Sequence, residues 1–239
     1  MNASELNILA LDTVTEACSV ALNLRGAVTQ QLEVAANGHS RRVLGMAQHL
    51  LSACGLNLRE LDALAVDIGP GSFTGVRIGI GVAQGLAYGA GLKVIPVNSL
   101  EALAEGVLRP GDGETAAATV LPAIDARMGQ VYCALYGSAA PGAIIEPALS
   151  APGQVANGGH ANITGIGSGW DRHAPALLEA LNGSVSRWLA GRHPEAAGVA
   201  RIAAVRGLQS AVSPLHLRAT YIRNEVAKTT AQRRASGAP

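Results

Sequence analysis

Apolar residues in the first third of the chain fall into short runs separated by polar or glycine-containing turns. Residues 7–12 (NILALD) and 17–24 (ACSVALNL) are nearly continuous apolar runs joined by a polar stretch, so they predict the two buried strands of a hairpin. A third strand is predicted over residues 27–35, and Asn37 and Gly38 end that run. The chain therefore begins with a predicted three-stranded meander.

Helical and strand patterns alternate after this meander. Helices are predicted over residues 40–54 and 73–89, and strands over residues 63–68 and 93–97. Ser40 is the predicted N-cap of the first helix. With the meander, these elements predict a compact α/β unit.

A second α/β unit is predicted after a short boundary. Residues 109–114 are rich in glycine and charged side chains, as expected where two domains join. The predicted elements beyond the boundary are strands over 116–124 and 130–136, a strand near Ile163 and a helix over 195–206. Residues 141–159 are rich in proline and glycine and poorly patterned, so the sequence leaves their structure open.

These patterns divide the chain into two domains and a tail. We expect a first domain at residues 1–107 and a second at residues 108–226, whose C-terminal helix could pack on the first. Arginines stand among small polar residues at 227–239, so a disordered tail is predicted there. The predicted fold class is α/β with two domains.

The helix predicted over residues 73–89 is apolar almost all round. Arg77, Gln84 and Tyr88 share one narrow stripe, and apolar residues or glycines fill the other directions. Such a helix must be covered on more than one side, whereas a small sheet covers only one. Glycines at positions 75, 79, 81, 85 and 89 would each destabilise an isolated helix by about 1 kcal/mol, but they leave grooves where another helix fits closely.

The preceding helix carries a similar excess of apolar residues, which leaves two interpretations open. The two helices either pack only on each other and on the sheet, or they also form an interface with another subunit. Mutual packing alone would leave an apolar face in water, and this favours the interface. The predicted interface residues are Val43, Leu44, Met46, Ala47, Leu50, Leu51, Val76, Arg77, Ile80 and Gln84.

Composition and charge narrow the function classes. Of 239 residues, 49% are hydrophobic and 15% are charged, and the formal net charge is +1, so no global basic field attracts RNA. The three cysteines lack the spacing of a zinc site or a disulfide framework and suit a reducing cytoplasm. Apolar segments are interrupted before they reach membrane-spanning length, so we expect a cytoplasmic protein without membrane contact.

Residues 69–75 (GPGSFTG) join a predicted strand to a predicted helix and match a phosphate cradle only in part. Free backbone amides at a helix start bind anions, but the Lys-Ser/Thr ending of a P-loop is missing. A tight turn capped by Ser72 or Thr74 is therefore favoured. Asp12, at the end of the first strand, is a candidate to orient a metal-bound water beside nucleotide phosphates, with turn capping as the alternative.

The second unit offers one further polar pair. Asp125 and Arg127 lie in the predicted hairpin turn, where they either form a local ion pair or present a polar face to a cleft between the domains. No histidine in the sequence has ligand spacing to another histidine, cysteine or acid with a third contributor, so no metal site is predicted. A Gly-x-Ser-x-Gly elbow is also missing, which leaves hydrolase chemistry little support.

Four segments of the sequence occur together in one known family. They are residues 8–13 (ILALDT) with 17–22 (ACSVAL), residues 69–79 (GPGSFTGVRIG), residues 123–129 (AIDARMG) with Val131 and Tyr132, and residues 221–224 (YIRN). In this combination the chain resembles the TsaB (YeaZ) family, whose members take part in tRNA threonylcarbamoyladenosine biosynthesis. The resemblance implies a two-domain actin-like (ASKHA) fold made of two RNase H-like domains, the second one reduced.

The resemblance also implies partners. Family members pair with their paralogue TsaD, which transfers threonylcarbamoyl to an adenosine next to the tRNA anticodon, and the ATPase TsaE is the third component. The helices over residues 40–54 and 74–89 match those that the family uses for this heterodimer and for a competing homodimer. ATP and metal would be held by partner subunits, and tRNA would be reached through the complex. The possible nucleotide or cleft contacts are Asp12, Thr13, Asp125 and Arg127.

A comparison with TsaD implies that this chain is not itself an enzyme. TsaD carries a His-x-x-x-His metal pair just after the strand that corresponds to residues 93–97, and these positions are Ser99 and Leu103 here. Neither side chain replaces an imidazole ligand. We therefore expect a non-catalytic subunit that binds and activates TsaD. The alternatives are a metal-dependent glycopeptidase-like hydrolase and a small-molecule kinase of the ASKHA fold.

Overall fold

Two five-stranded sheets form the framework of the protein, one in each half of the chain. The computed structural model describes residues 6–34, 38–109, 116–139 and 142–223. Each sheet consists of a three-stranded antiparallel meander that is extended by two parallel strands. The chain is therefore an α/β protein, as its sequence predicts.

The first sheet has the strand order β3-β2-β1-β4-β5. Its strands are β1 (Asn7–Asp12), β2 (Ala17–Leu24), β3 (Ala27–Val34), β4 (Ala63–Asp67) and β5 (Val94–Val97). Helices α1 (His39–Ala53) and α2 (Phe73–Ala90) cover one face, and α5 (Ala196–Arg206) covers the other. Successive side chains of a strand point to opposite faces, which is why Leu9 and Leu11 pack with α1 and α2 while Ile8 and Ala10 pack with α5.

The second sheet has the equivalent order β10-β9-β6-β7-β8. Its strands are β6 (Thr119–Asp125), β7 (Val131–Gly137), β8 (Ala143–Ser150), β9 (Ile163–Ile166) and β10 (Val185–Leu189). Helix α3 (Ser99–Leu108) covers one face and α4 (Ser168–Ala180) the other. In α4 the fully buried Trp170 donates its indole N–H to the Leu121 carbonyl oxygen at 2.9 Å, so its one polar atom is satisfied inside the core.

Helices α3 and α5 join the two halves. A Cβ on Gly198 of α5 would lie 2.5 Å from the Ala102 carbonyl oxygen of α3, so the helices approach closely only because this residue is glycine. At the end of α5, the Arg206 guanidinium binds the Glu101 carboxylate at 2.5 Å and the Pro96 carbonyl oxygen at 2.9 Å. The joint thus combines close apolar packing with a charged hydrogen-bond cluster.

The predicted strands and helices of the first half are confirmed within one or two residues at most ends, and so are the strand pair and the last helix of the second half. Strand β8, which forms the outer edge of the second sheet, lies within residues 141–159, where the sequence pattern assigns no element. Helices α3 and α4 and strand β10 have no counterpart in the predictions. The predicted tail at 227–239 lies outside the described residues.

The start of α1 differs from its prediction. The helix begins at His39 after Gly38, whose φ of 92° is left-handed, and no side chain caps this end. Ser40 therefore lies inside the helix and is not its N-cap. Among the residues described, no helix is long and apolar enough to cross a membrane.

Candidate functional site

Six of the ten residues predicted for a partner interface belong to the core of the first half. They are Val43, Met46, Ala47, Leu50, Val76 and Ile80, each at most 9% exposed and packed with residues of the first sheet. The apolar stripes that indicated an outer surface are therefore the faces that α1 and α2 turn toward the sheet, and the interface role of these six residues stays a prediction. A helical pattern gives the width of an apolar stripe but not the direction in which it faces.

The other four predicted interface residues lie at the surface of α1 and α2. Leu44 and Arg77 are exposed, and Leu51 and Gln84 are half-buried. Gln84 Nε2 donates to the Pro214 carbonyl oxygen at 3.0 Å, so its polar end is already bound within the chain. These residues remain predicted interface positions, now on the outward face of the two helices.

Helix α2 carries two rows of glycine, and the inner row is explained by packing within the chain. A Cβ on Gly75 would overlap the Thr13 carbonyl oxygen, and a Cβ on Gly79 would lie 2.7 Å from Thr13 Oγ1. Thr13 Oγ1 donates to the Gly75 carbonyl oxygen at 2.7 Å. Thr13, predicted as a cleft contact, therefore fixes α2 against the β1–β2 turn.

The outer row is not explained by any contact within the described chain. Gly81, Gly85 and Gly89 recur at every fourth position, and a Cβ on any of them would meet no atom within 4 Å. Glycine inside a helix is less favourable than alanine by about 1 kcal/mol per position. This row leaves a shallow channel along the outward face of α2.

An apolar groove lies beside this channel, between α1, α2 and the loop that follows α1. Its volume is about 350 Å³. We call it the leucine groove, and besides the fully buried Leu9 of β1 its leucines are Leu44, Leu51, Leu56, Leu58 and Leu86. Leu56, Leu58 and Leu86 were not among the predicted interface residues, and the first two lie in the loop just after α1. Groove and channel together form an apolar outward surface.

A pair of buried carboxyl groups lies at the ends of β1 and β4. Asp12 and Asp67 are 0% exposed and within hydrogen-bonding reach of each other. Burial raises the pKa of Asp12 to about 6, and burial together with the neighbouring Asp12 raises the pKa of Asp67 well above its usual value. Two adjacent carboxylates cannot both ionise cheaply away from water, and the Oδ2 of each acid is buried without another hydrogen-bond partner, so the pair favours a state that shares one proton.

The remaining bonds of this pair are structural. Asp12 Oδ1 accepts from the Val14 amide at 3.0 Å, which is the turn-capping role weighed for it in the sequence. Asp67 Oδ1 accepts from the Gly69 amide at 2.8 Å. Asp67 was missed by sequence reasoning, although an acid at the end of a fully apolar strand is the same signal that identified Asp12.

The glycine-rich loop over residues 69–75 is a capped turn. Ser72 is the N-cap of α2, and its Oγ accepts from the Gly75 amide at 3.3 Å. The Ser72 amide donates to the Val14 carbonyl oxygen at 2.7 Å, and a Cβ on Gly71 would lie 2.6 Å from the same oxygen. The β1–β2 turn therefore occupies the place that an anion would need at this loop.

Asp125 and Arg127 lie together in the β6–β7 turn. Asp125 Oδ1 accepts from the Arg127 amide at 3.2 Å, and the two side chains form an ion pair at 3.5 Å. Asp125 also meets Arg172 at 3.3 Å and His173 at 3.5 Å, both on α4. The acid thus fixes the turn locally and ties it to the helix behind it.

Comparison with known proteins identifies the family. Residues 27–167 match the family model described as TsaD: tRNA N6-adenosine threonylcarbamoyltransferase. The protein of Haemophilus influenzae named tRNA threonylcarbamoyladenosine biosynthesis protein TsaB is 40% identical over 233 residues, which cover 92% of this chain and 95% of that protein.

The chain belongs to the TsaB family.

A protein of the same name from Escherichia coli is 52% identical to this TsaB-family chain over 131 residues, 55% of each chain. The solved structure described as YeaZ from Pseudomonas aeruginosa has 35% sequence identity and a TM-score of 0.78, over 90% of this chain and 99% of that one. The family resemblance drawn from the sequence is therefore confirmed. With its two equivalent sheets, the chain has the two-domain actin-like fold of that family.

Ser99 and Leu103, the two positions that the sequence analysis compared with a metal pair, are both used in packing. Ser99 is buried, and its hydroxyl donates to Asp67 Oδ1 at 2.5 Å. Leu103 is 2% exposed in the core beneath the second sheet, close to Gly167. Each side chain therefore has a structural role at the base of the joint between the domains.

Proposed function

We propose that this chain is a non-catalytic subunit of the system that forms threonylcarbamoyladenosine in tRNA. Membership of the TsaB family supports the pathway, since the relatives are named for that biosynthesis. Its partner would be TsaD, whose activity it supports by binding one TsaD conformation in preference to others. TsaE would join this pair, tRNA would be reached through the complex, and in the absence of TsaD the chain would pair with itself.

The observation that carries this proposal is the outward surface of α1 and α2. Gly81, Gly85 and Gly89 form a channel that no packing contact within the described chain explains, and the leucine groove lies beside it. Glycine rows allow helix backbones to approach closely, and exposed apolar patches commonly mark binding surfaces. An apolar helix of the partner would fill both at once.

The packing of Ser99 and Leu103 supports the non-catalytic part of the proposal. A serine hydroxyl engaged by Asp67 and a leucine buried in the core are not ligands for a catalytic metal. ATP and metal would accordingly be supplied by the partner subunits. The complex would work in the cytoplasm.

Association can be tested with a glycine substitution that leaves the isolated chain intact. Gly85→Gln adds a side chain where nothing lies within 4 Å, so the fold should keep or gain stability. Purified TsaD should nevertheless bind this variant at least about tenfold more weakly, because the partner helix can no longer approach. Binding is measured by titration calorimetry, and the modification of tRNA is followed in parallel.

The matched control is Gly106→Gln in α3, another exposed helical glycine with open space around its Cβ and away from α1 and α2. It should bind TsaD as the natural chain does. Equal affinity of the Gly85 and Gly106 variants would refute the proposed surface. Transfer of threonylcarbamoyl by this chain without TsaD would refute the non-catalytic role.

A further inference from the structure

Residues 211–223, which we call the strap, run back along the first domain after α5. Val212 pairs with Val94 of β5 through two backbone hydrogen bonds of 2.8 and 3.0 Å. Leu217 is 2% exposed in the core of the first domain. The Thr220 amide then donates to the Ile68 carbonyl oxygen at 2.9 Å, beside the loop that starts α2. The strap is therefore anchored along its length to the first domain.

The end of the strap reaches the second domain. Arg223 Nη2 donates to Gln130 Oε1 at 2.7 Å and to the Ala126 carbonyl oxygen at 3.1 Å, and its Nη1 lies 3.5 Å from the Met128 sulfur. All three partners belong to the β6–β7 turn. One guanidinium thus ties the turn of the second domain to a segment that is fixed on the first.

A second cation sets where this end of the strap lies. Arg77 Nε donates to the Tyr221 hydroxyl at 3.3 Å, and its guanidinium carbon lies 3.5 Å from the centre of the Phe73 ring. The Phe73 and Tyr221 rings are 6.2 Å apart. No carboxylate among the described residues pairs with Arg77, so its contacts there are the two rings of this cluster.

We propose that the strap is a latch that holds the β6–β7 turn of the second domain at a fixed distance from the first domain. Arg223, which we call the catch, makes the hydrogen bonds that close this latch. Arg77 positions Arg223 by binding Tyr221, which precedes Arg223 by two residues. The joint of α3 and α5 connects the domains at another place, so release of the catch lets the domains move about that joint. The latch is a property of the isolated chain and is independent of the proposed partner.

Removal of the catch tests the latch directly. In Arg223→Ala, the Ala126 and Gln130 amides, which bond to Gln130 and Arg127 within the turn, should exchange with deuterium about tenfold faster. The matched control is Arg218→Ala, whose guanidinium, among the residues described, binds only carbonyl oxygens of its own segment, at Leu215 and Leu217. Unchanged exchange in β1 shows that either variant is folded, and unchanged exchange of the turn in Arg223→Ala overturns the latch.

Distances between spin labels test whether the domains themselves move. Cys54 is exposed on the first domain and Ser138 is exposed on the second, so Ser138→Cys gives a labelling pair. Cys18 and Cys133 are buried, and burial raises the pKa of each thiol to about 11, so neither reacts under labelling conditions. The distance distribution should broaden in Arg223→Ala and not in Arg218→Ala. An equally narrow distribution in both overturns the proposal.

The role of Arg77 has its own test, because this residue makes no hydrogen bond to the turn. Arg77→Ala and Tyr221→Phe should each speed exchange of the turn amides, and neither should add to the effect of Arg223→Ala in a double variant. Turn exchange that matches the natural chain in both single variants would remove Arg77 from the latch.

Discussion

Ser99 Oγ donates a 2.5 Å hydrogen bond to Asp67 Oδ1, and Asp67 in turn meets Asp12 in the interior of the first domain. The Ser99 hydroxyl thus supports a buried carboxyl pair. The pair lies where β1 and β4 end and α2 and α3 begin. Its protonation state therefore affects the stability of the packing between these elements.

The carboxyl pair predicts a stability that falls as the pH rises. Both groups have folded-state pKa values raised above the unfolded value of about 4, so the folded chain holds protons that the unfolded chain releases. The contribution of this pair to the free energy of unfolding is therefore fully present below about pH 4. It decreases as the pH rises through about 6, the pKa of Asp12 in the folded chain. Asp67→Asn keeps a donor toward Asp12 without a charge and should flatten this fall.

Urea unfolding at several pH values between 5 and 8 measures this slope. Glu146→Gln is the control, because it makes the same acid-to-amide change at an exposed position. A slope that is identical in the natural chain and in Asp67→Asn would contradict the shared proton.

The two glycine rows of α2 predict opposite effects of the same substitution. Gly75→Ala places a methyl group against the Thr13 carbonyl oxygen and should lower the free energy of unfolding by about 1–3 kcal/mol. Gly85→Ala meets only open space and should raise it by about 1 kcal/mol. Thermal unfolding distinguishes the two. Equal shifts of the same sign would show that α2 does not sit on the β1–β2 turn as described.

The two faces of α1 predict a separation of stability from binding. Leu50→Ala removes a buried side chain and should lower the free energy of unfolding by about 2–5 kcal/mol. Leu44→Ala, on the outward face, should change it by less than about 1 kcal/mol and should weaken association with TsaD. The measurements are denaturant unfolding and gel filtration with TsaD. Loss of binding only in the Leu50 variant would place the interface elsewhere.

The occupied loop at the start of α2 predicts weak interaction with nucleotide. The Ser72 amide is bound to Val14 and the Gly75 amide to Ser72, so few free donors remain for a phosphate. Calorimetric titration of the isolated chain with ATP and Mg²⁺ should give no measurable heat of binding. Micromolar affinity would instead favour a kinase of this fold.

Local sequence patterns predicted the first domain well because its strands are uniform. β1, β2 and β4 are buried on both faces and read as continuous apolar runs, which length and flanking turns identify. Strand β8 escaped prediction because it is a half-exposed edge strand with Pro147 in its middle. Helix α4 contains Pro175 and a kink at His173, and both interrupt the period that would have revealed it.

The proposed binding surface on α1 and α2 could be predicted only in part, for a different reason. The sequence indicates that α1 and α2 are too apolar for one sheet, but the side that faces the sheet depends on how each helix docks. Leu50 and Leu44 are both leucines of α1, and only the tertiary structure separates core from surface. Likewise, the pairing of Asp12 with Asp67 requires β1 and β4 to lie side by side, which no local pattern states.

The equivalent strand order of the two sheets gives the molecule a pseudo-symmetry that its chemistry does not share. Asp12 and Asp125 each end the first strand of a half, and each accepts the amide two residues later. One is enclosed with a second acid, whereas the other is surrounded by Arg127 and Arg172. Corresponding corners of the two halves thus carry unlike electrostatic environments, one a buried acid pair and the other an acid neutralised by arginines.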